Sequence, residues 1–426
     1  MTKTKDQKVC IIGMGYVGLP LAAVAAKNGY VVTGFDLDEK KLEIIRQGKS
    51  PFYEKFLEDM LPQPNLTVSS DPLDIRDHDI YVICVPTPVD DKHNPIIKIV
   101  ADASRTVAQN MSKGALVILE STVNPGVSEE VVKPIFEKEG FVVSKDVFIS
   151  HCPERVNPGD EKWNVTNLPR VVGSFDEIGL KRTMDFYKNI TSGELAPMDN
   201  IREAEATKIL ENSFRDINIA FVNEMAMSFA RIDIDITNVI RGASSKFSFM
   251  PHWPGCGVGG HCIPVDPYYM IEKGKENNFD HKFLSAARQI NDGMMGFTVE
   301  LLQDKLNEVE LPVKGTKVGL LGISYKANIG DLRESPALHI IKMIKKMGAN
   351  LKTFDPYVES LSTAKSIEEI LKHSQALVIT TDHNEFKKIP VQAFIDNGIK
   401  VIVDGKNCLD KKAIRAAGII YAGIGR

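Results

Sequence analysis

The feature that most limits what this chain can become is a glycine triplet near its start. Gly13, Gly15 and Gly18 stand in GMGYVG, directly after the apolar run Val9-Cys10-Ile11-Ile12. Residues 17 to 28 are rich in Ala and Leu and suit a helix, and Tyr30 to Phe35 is a second apolar run. Strand, glycine turn, helix and strand make one βαβ unit, which belongs in a parallel sheet. The first glycine permits the tight turn. The second lets backbone approach a pyrophosphate, and the third lets helix pack on strand. The helix N-terminus offers unpaired N–H groups and a positive dipole end to phosphate. Asp36 lies 18 residues beyond Gly18, at the end of the second run. A carboxylate there accepts ribose hydroxyls and repels a 2′-phosphate, so NAD is expected rather than NADP.

Strand-like runs recur at 80–85, 116–119 and 147–149, with helix-like segments between them. Alternation of this kind predicts a parallel sheet with helices on both faces. From about residue 200 the character changes. Residues 201 to 243 hold no proline, and no glycine before Gly242, with apolar residues at helical spacing. The pattern predicts one long helix or two in succession. Residues 281 to 310 read as helical again. Lys317 to Gly322 then opens a second strand-first region, with a helix near Ser335 to Met347 and a strand ending at Phe354-Asp355. Further strands are expected at 377–380 and 401–403. The expected fold class is α/β, with two Rossmann-like parallel-sheet domains joined by a helical middle. The boundaries expected are 1–200, 201–310 and 311–426.

Composition excludes several classes. Among 426 residues, 56 acidic side chains against 52 basic ones give a net charge of -4. No basic excess exists to neutralise a nucleic-acid backbone, so no nucleic acid is expected as partner. No 18-residue apolar run exists, so no membrane partner is expected either. The six cysteines, at 10, 84, 152, 256, 262 and 408, form no CxxC pair. Neither a disulfide framework nor a zinc knuckle is suggested, and no metal is expected. The opening MTKTKDQKVC lacks the pattern of a secretion signal. Reduced thiols and a cytoplasmic location are the expectation.

Four sets of residues could carry chemistry. Four glycines crowd residues 255–260 of GCGVGGHCIPVD, and Cys262 follows with Asp266 four residues later. Glycines let a loop approach a ligand, and a cysteine with a nearby carboxylate suits a nucleophile. A zinc site on His261 and Cys262 is weak, because adjacent residues rarely ligate one ion. Cys10 and Cys84, inside strand-like runs, read as small core hydrophobes. Lys208, Asn212 and Arg215 fall at i, i+4 and i+7, and such a stripe could face an anion or stabilise an oxyanion. Ser121-Thr122 and His151-Cys152-Pro153-Glu154-Arg155 each follow a strand-like run. Open α/β sheets place ligands at such strand ends. Tyr325-Lys326, Asp331 and Arg333-Glu334-Ser335 sit between a strand and a helix of the second α/β region.

Together these residues resemble the UDP-glucose/GDP-mannose dehydrogenase family over nearly the whole length. The signposts are GMGYVG, VPTP at 85–88, ESTVNPG at 120–126, PERVNPG at 153–159, the Lys208/Asn212 helix, GVGGHCIPVDP at 257–267 and YKANIGDLRESP at 325–336. The resemblance implies an N-terminal NAD-binding Rossmann domain, a central helical dimerisation region and a C-terminal Rossmann-like domain that binds the sugar nucleotide. It implies a homodimer or higher homo-oligomer that oxidises C6 of a UDP-sugar to the carboxylate, reducing two NAD.

By the same resemblance Cys262 attacks the C6 aldehyde, and the thiohemiacetal becomes a thioester that water cleaves. Lys208 stabilises oxyanions with help from Asn212. Asp266 assists proton transfer or orients Lys208. Thr122 and Glu154 hold or activate the water. The cofactor contacts implied are Gly13, Gly15, Tyr16, Val17, Gly18, Asp36, Pro86, Thr87, Ser121, Thr122 and Arg333. The substrate contacts implied are Glu154, Arg155, Val156, Lys208, Asn212, Arg215, Gly259, Tyr325 for the uracil, and Lys326.

His261, where glucose-type relatives carry serine, and PERVNPG resemble the branch acting on UDP-N-acetylhexosamines. Lys246 and His252 stand where an arginine is common. SSKFSFMPHWPG is most similar to the N-acetylglucosamine type, with UDP-N-acetylmannosamine and UDP-glucose as alternatives. A β-hydroxyacid dehydrogenase would need neither Cys262 nor residues 315 to 426. A non-catalytic NAD sensor would need neither Cys262 nor Lys208.

Overall fold

The computed structural model describes residues 7–52, 55–90, 92–156 and 163–426. The first six residues and Asn157-Pro158-Gly159 of the PERVNPG motif lie outside the described residues. Eight strands form the first sheet: β1 Lys8–Ile12, β2 Val31–Phe35, β3 Leu66–Ser69, β4 Ile80–Ile83, β5 Ala115–Leu119, β6 Val147–His151, β7 Arg170–Ser174 and β8 Leu195–Pro197. Their order is β3-β2-β1-β4-β5-β6-β7-β8. The first six reproduce the doubly wound dinucleotide-binding order, whose ligand crevice lies where the order reverses, between β1 and β4.

Side chains alternate along β1. Val9 and Ile11 enter one core with the helix Gly18–Lys27, while Cys10 and Ile12 enter the core on the other face. Strands β4 and β5 are buried along their entire length, as strands covered on both faces must be. One junction departs from the parallel expectation. β7 runs antiparallel to β6, pairing Ser150 with Ser174 and His151 with Gly173. An antiparallel neighbour needs no crossover helix.

Five parallel strands form the second sheet: β9 Lys317–Leu321, β10 Asn350–Phe354, β11 Ala376–Ile379, β12 Val401–Asp404 and β13 Ile420–Gly423. Their order is β10-β9-β11-β12-β13, the other common doubly wound arrangement.

Between the sheets in sequence lie the helices Ile201–Ala230, Ile236–Ala243, Asp266–Glu276 and Lys282–Asn307. The expected stretch of 201–243 is thus two helices in succession. The chain breaks where Asp233 takes φ +55° and Asp235 caps the second helix by accepting the Thr237 N–H. The chain divides into two compact units, residues 1–211 with 268–279, and residues 212–267 with 280–426. Among the described residues, no helix is long and apolar enough to cross a membrane.

Candidate active site

The glycine turn after β1 is built as a phosphate cradle. Gly13 has φ +96°, and a side chain there would press within 2.8 Å of the Cys84 carbonyl. A side chain on Gly18 would collide with the Gly13 carbonyl. Above Gly15 there is nothing within 4 Å, so backbone is open to a ligand at the one glycine whose neighbours do not demand it. The helix Gly18–Lys27 has no side-chain cap and no acid in its first turn. Its N-terminal amides are therefore offered without a competing anion.

Asp36 accepts the Met14 N–H at 2.8 Å and the Asp38 N–H at 2.9 Å. Burial opposes its ionisation. The bonds from Lys41, Asp38 and Met14 outweigh that and hold the carboxyl below its ordinary value. An anionic acceptor with part of its surface exposed suits a ribose, so this cradle fits NAD. Tyr16 packs on Phe52 with ring centroids 4.1 Å apart, beside the turn. Pro86 is exposed in the loop after β4, and Thr87 is buried there, its carbonyl accepting the Tyr269 hydroxyl.

The same sheet edge gathers a buried charge cluster. Ser121 spends its hydroxyl on the Val85 carbonyl at 2.7 Å, tying the end of β5 to that of β4, and Thr122 stands next to it half-buried. Glu120, one residue earlier, is fully buried and binds the Arg170 guanidinium. Arg170 also donates to Glu154 Oε2 at 3.0 Å. Glu154 Oε1 accepts the N–H groups of Arg155 and Val156, each at 2.6 Å. Arg155 reaches out to Glu211 and to the Pro169 carbonyl.

The two carboxylates diverge. Desolvation pushes Glu120 up to about 7 against the pull of Arg170. At Glu154 desolvation is outweighed by Arg170, the amide bonds and Lys208, so its carboxyl lies below the ordinary range. Lys208 is buried on the helix Ile201–Ala230. One turn earlier, buried Glu205 accepts the N–H groups of Gly126 at 2.6 Å and Ser128 at 2.8 Å. The loop after Thr122 is thereby bound to the helix that carries Lys208.

In the second unit Asn212 donates to Asp266 Oδ2 at 2.5 Å, both residues being buried. Arg215 is exposed, which departs from the shared stripe expected for it. The buried ridge of this helix runs Ala204, Lys208, Asn212, Asp216 and Ala220. A step of four residues turns about 40° past a full circle, so the ridge drifts away from Arg215.

Cys262 is exposed; Cys10, Cys84, Cys152 and Cys256 are buried and Cys408 is half-buried. Its carbonyl accepts the Asp266 N–H at 2.8 Å, where the helix Asp266–Glu276 begins. The glycines before it serve a purpose their density did not reveal. A side chain on Gly259 would meet Tyr325 Cβ at 2.5 Å, and one on Gly260 would meet Tyr325 Cε2 at 2.8 Å. Gly260 N–H also bonds the Arg333 carbonyl at 2.9 Å. The cysteine loop is thus packed on the loop of residues 325–336.

That loop is itself latched. Asp355 accepts the N–H groups of Ile323 and Ser324 and lies 3.1 Å from His383 Nε2. His383 Nδ1 accepts the Asn328 N–H. Lys326 and Tyr325 are half-buried in this loop, and Arg333 pairs with Asp331 at 2.6 Å.

Glu154, Thr122 and Lys208 were expected in the first unit's site, whereas Glu120, Arg170 and Glu205, which bind around them, were not. The available signals were a glutamate directly before Ser121-Thr122, and a lone arginine opening the apolar run RVVGS.

A dinucleotide cradle, a latched second α/β sheet and an exposed cysteine on a glycine loop fit a nucleotide-coenzyme dehydrogenase. Residues 7–191 match the NAD binding domain of the UDP-glucose/GDP-mannose dehydrogenase family, 202–293 its central domain and 319–411 its UDP binding domain. The chain belongs to this family and is an NAD-dependent UDP-sugar dehydrogenase, an oxidoreductase. It is 33% identical to the UDP-N-acetyl-D-mannosamine dehydrogenase of Pyrococcus horikoshii, over 98% of this chain and 99% of that one. It is 35% identical to the UDP-N-acetyl-D-glucosamine 6-dehydrogenase of Salmonella typhi, over 90% of this chain and 92% of that one. The solved structure of the Pyrococcus horikoshii UDP-D-ManNAc dehydrogenase superposes with a TM-score of 0.93, covering 99% of both chains.

Proposed function

We propose that this chain oxidises C6 of a UDP-N-acetylhexosamine to the uronic acid, with UDP-N-acetylglucosamine as preferred substrate. The observation that carries the reading is Cys262, an exposed thiol at the end of a glycine loop and ahead of a helix. When bound, NAD would supply the acceptor for two hydrides leaving C6, one from the alcohol to give the aldehyde and one from the thiohemiacetal to give the thioester, so two NAD are reduced in turn. The Cys262 thiolate adds to the C6 aldehyde, forming a C–S bond and placing the carbonyl electron pair on oxygen. Lys208, a cation on a rigid helix, stabilises that oxyanion, and Asn212 assists. Asp266, bonded to Asn212, fixes the amide's orientation.

Release needs water. Its oxygen adds to the thioester carbon, the C–S bond breaks and the thiolate leaves. Glu154, held as an anion, takes the proton, and Thr122 orients the water. Tyr325 and Lys326 bind the nucleotide portion. The assembly is a homodimer or higher homo-oligomer, with UDP-sugar as the partner molecule.

The preference for an acetamido sugar is supported by His261 and the PERVNPG segment, and by relatives named for UDP-N-acetylhexosamines. A site built for an acetamido group leaves its polar partners unpaired when glucose binds, at about 1–3 kcal/mol per buried group. UDP-N-acetylglucosamine should therefore exceed UDP-glucose by roughly tenfold to hundredfold in kcat/KM. The structural likeness to the Pyrococcus horikoshii enzyme favours UDP-N-acetylmannosamine as a second reading. A panel of UDP-sugars with NAD, followed by NADH formation and product mass, decides. UDP-glucose leading by about tenfold would overturn the acetamido assignment.

A further inference from the structure

Arg170 is the least expected charge in the first unit, a guanidinium 1% exposed at the start of β7. One of its nitrogens serves Glu120 and another serves Glu154, while its plane lies over the Tyr187 ring, 4.6 Å from the centroid. Glu120 has one further partner, the Cys84 thiol, which donates to Oε2 at 3.2 Å. We propose that Arg170, braced by Glu120 and Tyr187, is a positioning residue for the reaction: it fixes Glu154 Oε2 and keeps that carboxylate an anion.

One guanidinium balances one buried carboxylate, so a second beside it must find another cation or take a proton. Two amide N–H groups already hold Glu154, and Lys208 adds its charge there. Glu120 has only a thiol in addition to the arginine. The groups facing it are Cys84 after β4, Cys152 and Glu154 after β6, Arg170 on β7, and Tyr187 from the helix Glu177–Lys188.

Any proton the pair takes therefore goes to Glu120, which has fewer donors, and Glu154 is spared. The opposite displacements of the two carboxyls agree with this division. A carboxylate has about four acceptor sites. Glu154 spends two on Oε1 and one on Arg170, so acceptor capacity remains on Oε2 for a water proton. When Glu120 ionises, it competes for the guanidinium, and Glu154 is held less firmly.

This inference rests on Glu154 as the group that activates water. The experiment compares Arg170→Met, Arg170→Lys, Glu120→Gln and Glu154→Gln in the full chain. It measures kcat, KM for UDP-sugar and NAD, kcat across pH, and the infrared band of protonated carboxyl groups. Arg170→Met should lower kcat by roughly tenfold or more, with KM values within about twofold, and move the acid limb of the profile to higher pH. Arg170→Lys should recover part of the loss.

Glu120→Gln should remove from the profile the step near neutrality and, from the infrared spectrum, the band that titrates with it. Should Arg170→Met not fold, Arg170→Lys and Glu120→Gln still decide. Wild-type kcat per folded molecule and an unmoved profile in all three overturn the proposal. If Glu154→Gln abolishes the acid limb while these do not move it, only the role of Arg170 fails. If Glu154→Gln itself keeps the wild-type limb, the underlying reading of Glu154 fails first.

Discussion

Asp36 and Asp355 stand one residue past equivalent strands of two separate sheets, and each accepts the second N–H after the neighbouring strand. The distances are 2.8 Å from Met14 and 2.6 Å from Ile323. Their surroundings then part. The Asp36 side chain is 13% exposed and shares Lys41, whereas Asp355 is 0% exposed and enclosed by Ser324 and His383. One latch still offers an oxygen to a ligand, and the other is closed upon its own loop.

Coenzyme choice follows from the open latch. Asp36→Ala should narrow the preference for NAD over NADP by about tenfold or more, because the repelling carboxylate goes and Lys41 is released to face a phosphate. Comparison of kcat/KM for the two coenzymes checks it. An unaltered ratio would place the discrimination elsewhere.

The closed latch should appear in acid stability. Burial opposes ionisation of Asp355, yet His383 and the Ser324 and Ile323 amides draw its carboxyl down to about 2. A lowered carboxyl contributes stability above its unfolded value, lost as pH falls through the folded one. Wild type should lose about 2 kcal/mol from this group between pH ~4 and ~2, and Asp355→Asn should lack that loss. Urea unfolding at several pH values measures the difference.

Glu120 runs the other way. Its carboxyl is raised to about 7 by burial, so its contribution is complete below the unfolded value and fades as pH climbs through the folded one. Glu120→Gln should flatten the stability curve between pH ~4.5 and ~7 by on the order of 1–3 kcal/mol. A curve parallel to wild type would show that the group is ionised throughout.

Thiol chemistry gives the most direct prediction. Cys262→Ser should abolish steady-state NADH formation, since a serine hydroxyl without an adjacent base is a far poorer nucleophile. Folding and NAD binding should survive, because Cys262 is exposed and buries no core surface. Undiminished turnover would remove it from the mechanism.

How far these features were legible depends on how local their physics is. The turn Gly13-Gly15-Gly18 and Asp36 could be read because each obeys a rule of backbone geometry spanning a few residues. The ends of β1, β2, β9 and β10 were marked by glycine or aspartate. The salt bridge from Glu120 to Arg170 joins residues 50 apart, and nothing in either segment announces the other. The reversal at β7 was hidden because RVVGS reads the same in either direction of pairing. Arg215 was placed on the functional face by a period of seven, while packing in this helix follows steps of four. The glycines of residues 255–260 were read as room for a ligand. Gly259 and Gly260 are room for Tyr325.

That contact yields a further prediction. In Gly260→Ala the new methyl meets the Tyr325 ring, and the residue must also hold φ +90°. The cost should be about 1–3 kcal/mol of stability, with kcat falling as the loop carrying Cys262 shifts. Thermal unfolding together with kcat reads both, and a neutral substitution would mean that the two loops yield independently.

Because no side chain separates Gly259 and Gly260 from Tyr325, the loop bearing Cys262 and the segment 325–336 are packed as a single part. Redesign of this protein toward another sugar therefore cannot treat them as separate modules. Grafting one loop from a relative while keeping the other would displace the Cys262 sulfur along with Tyr325. The two loops must be exchanged as a pair.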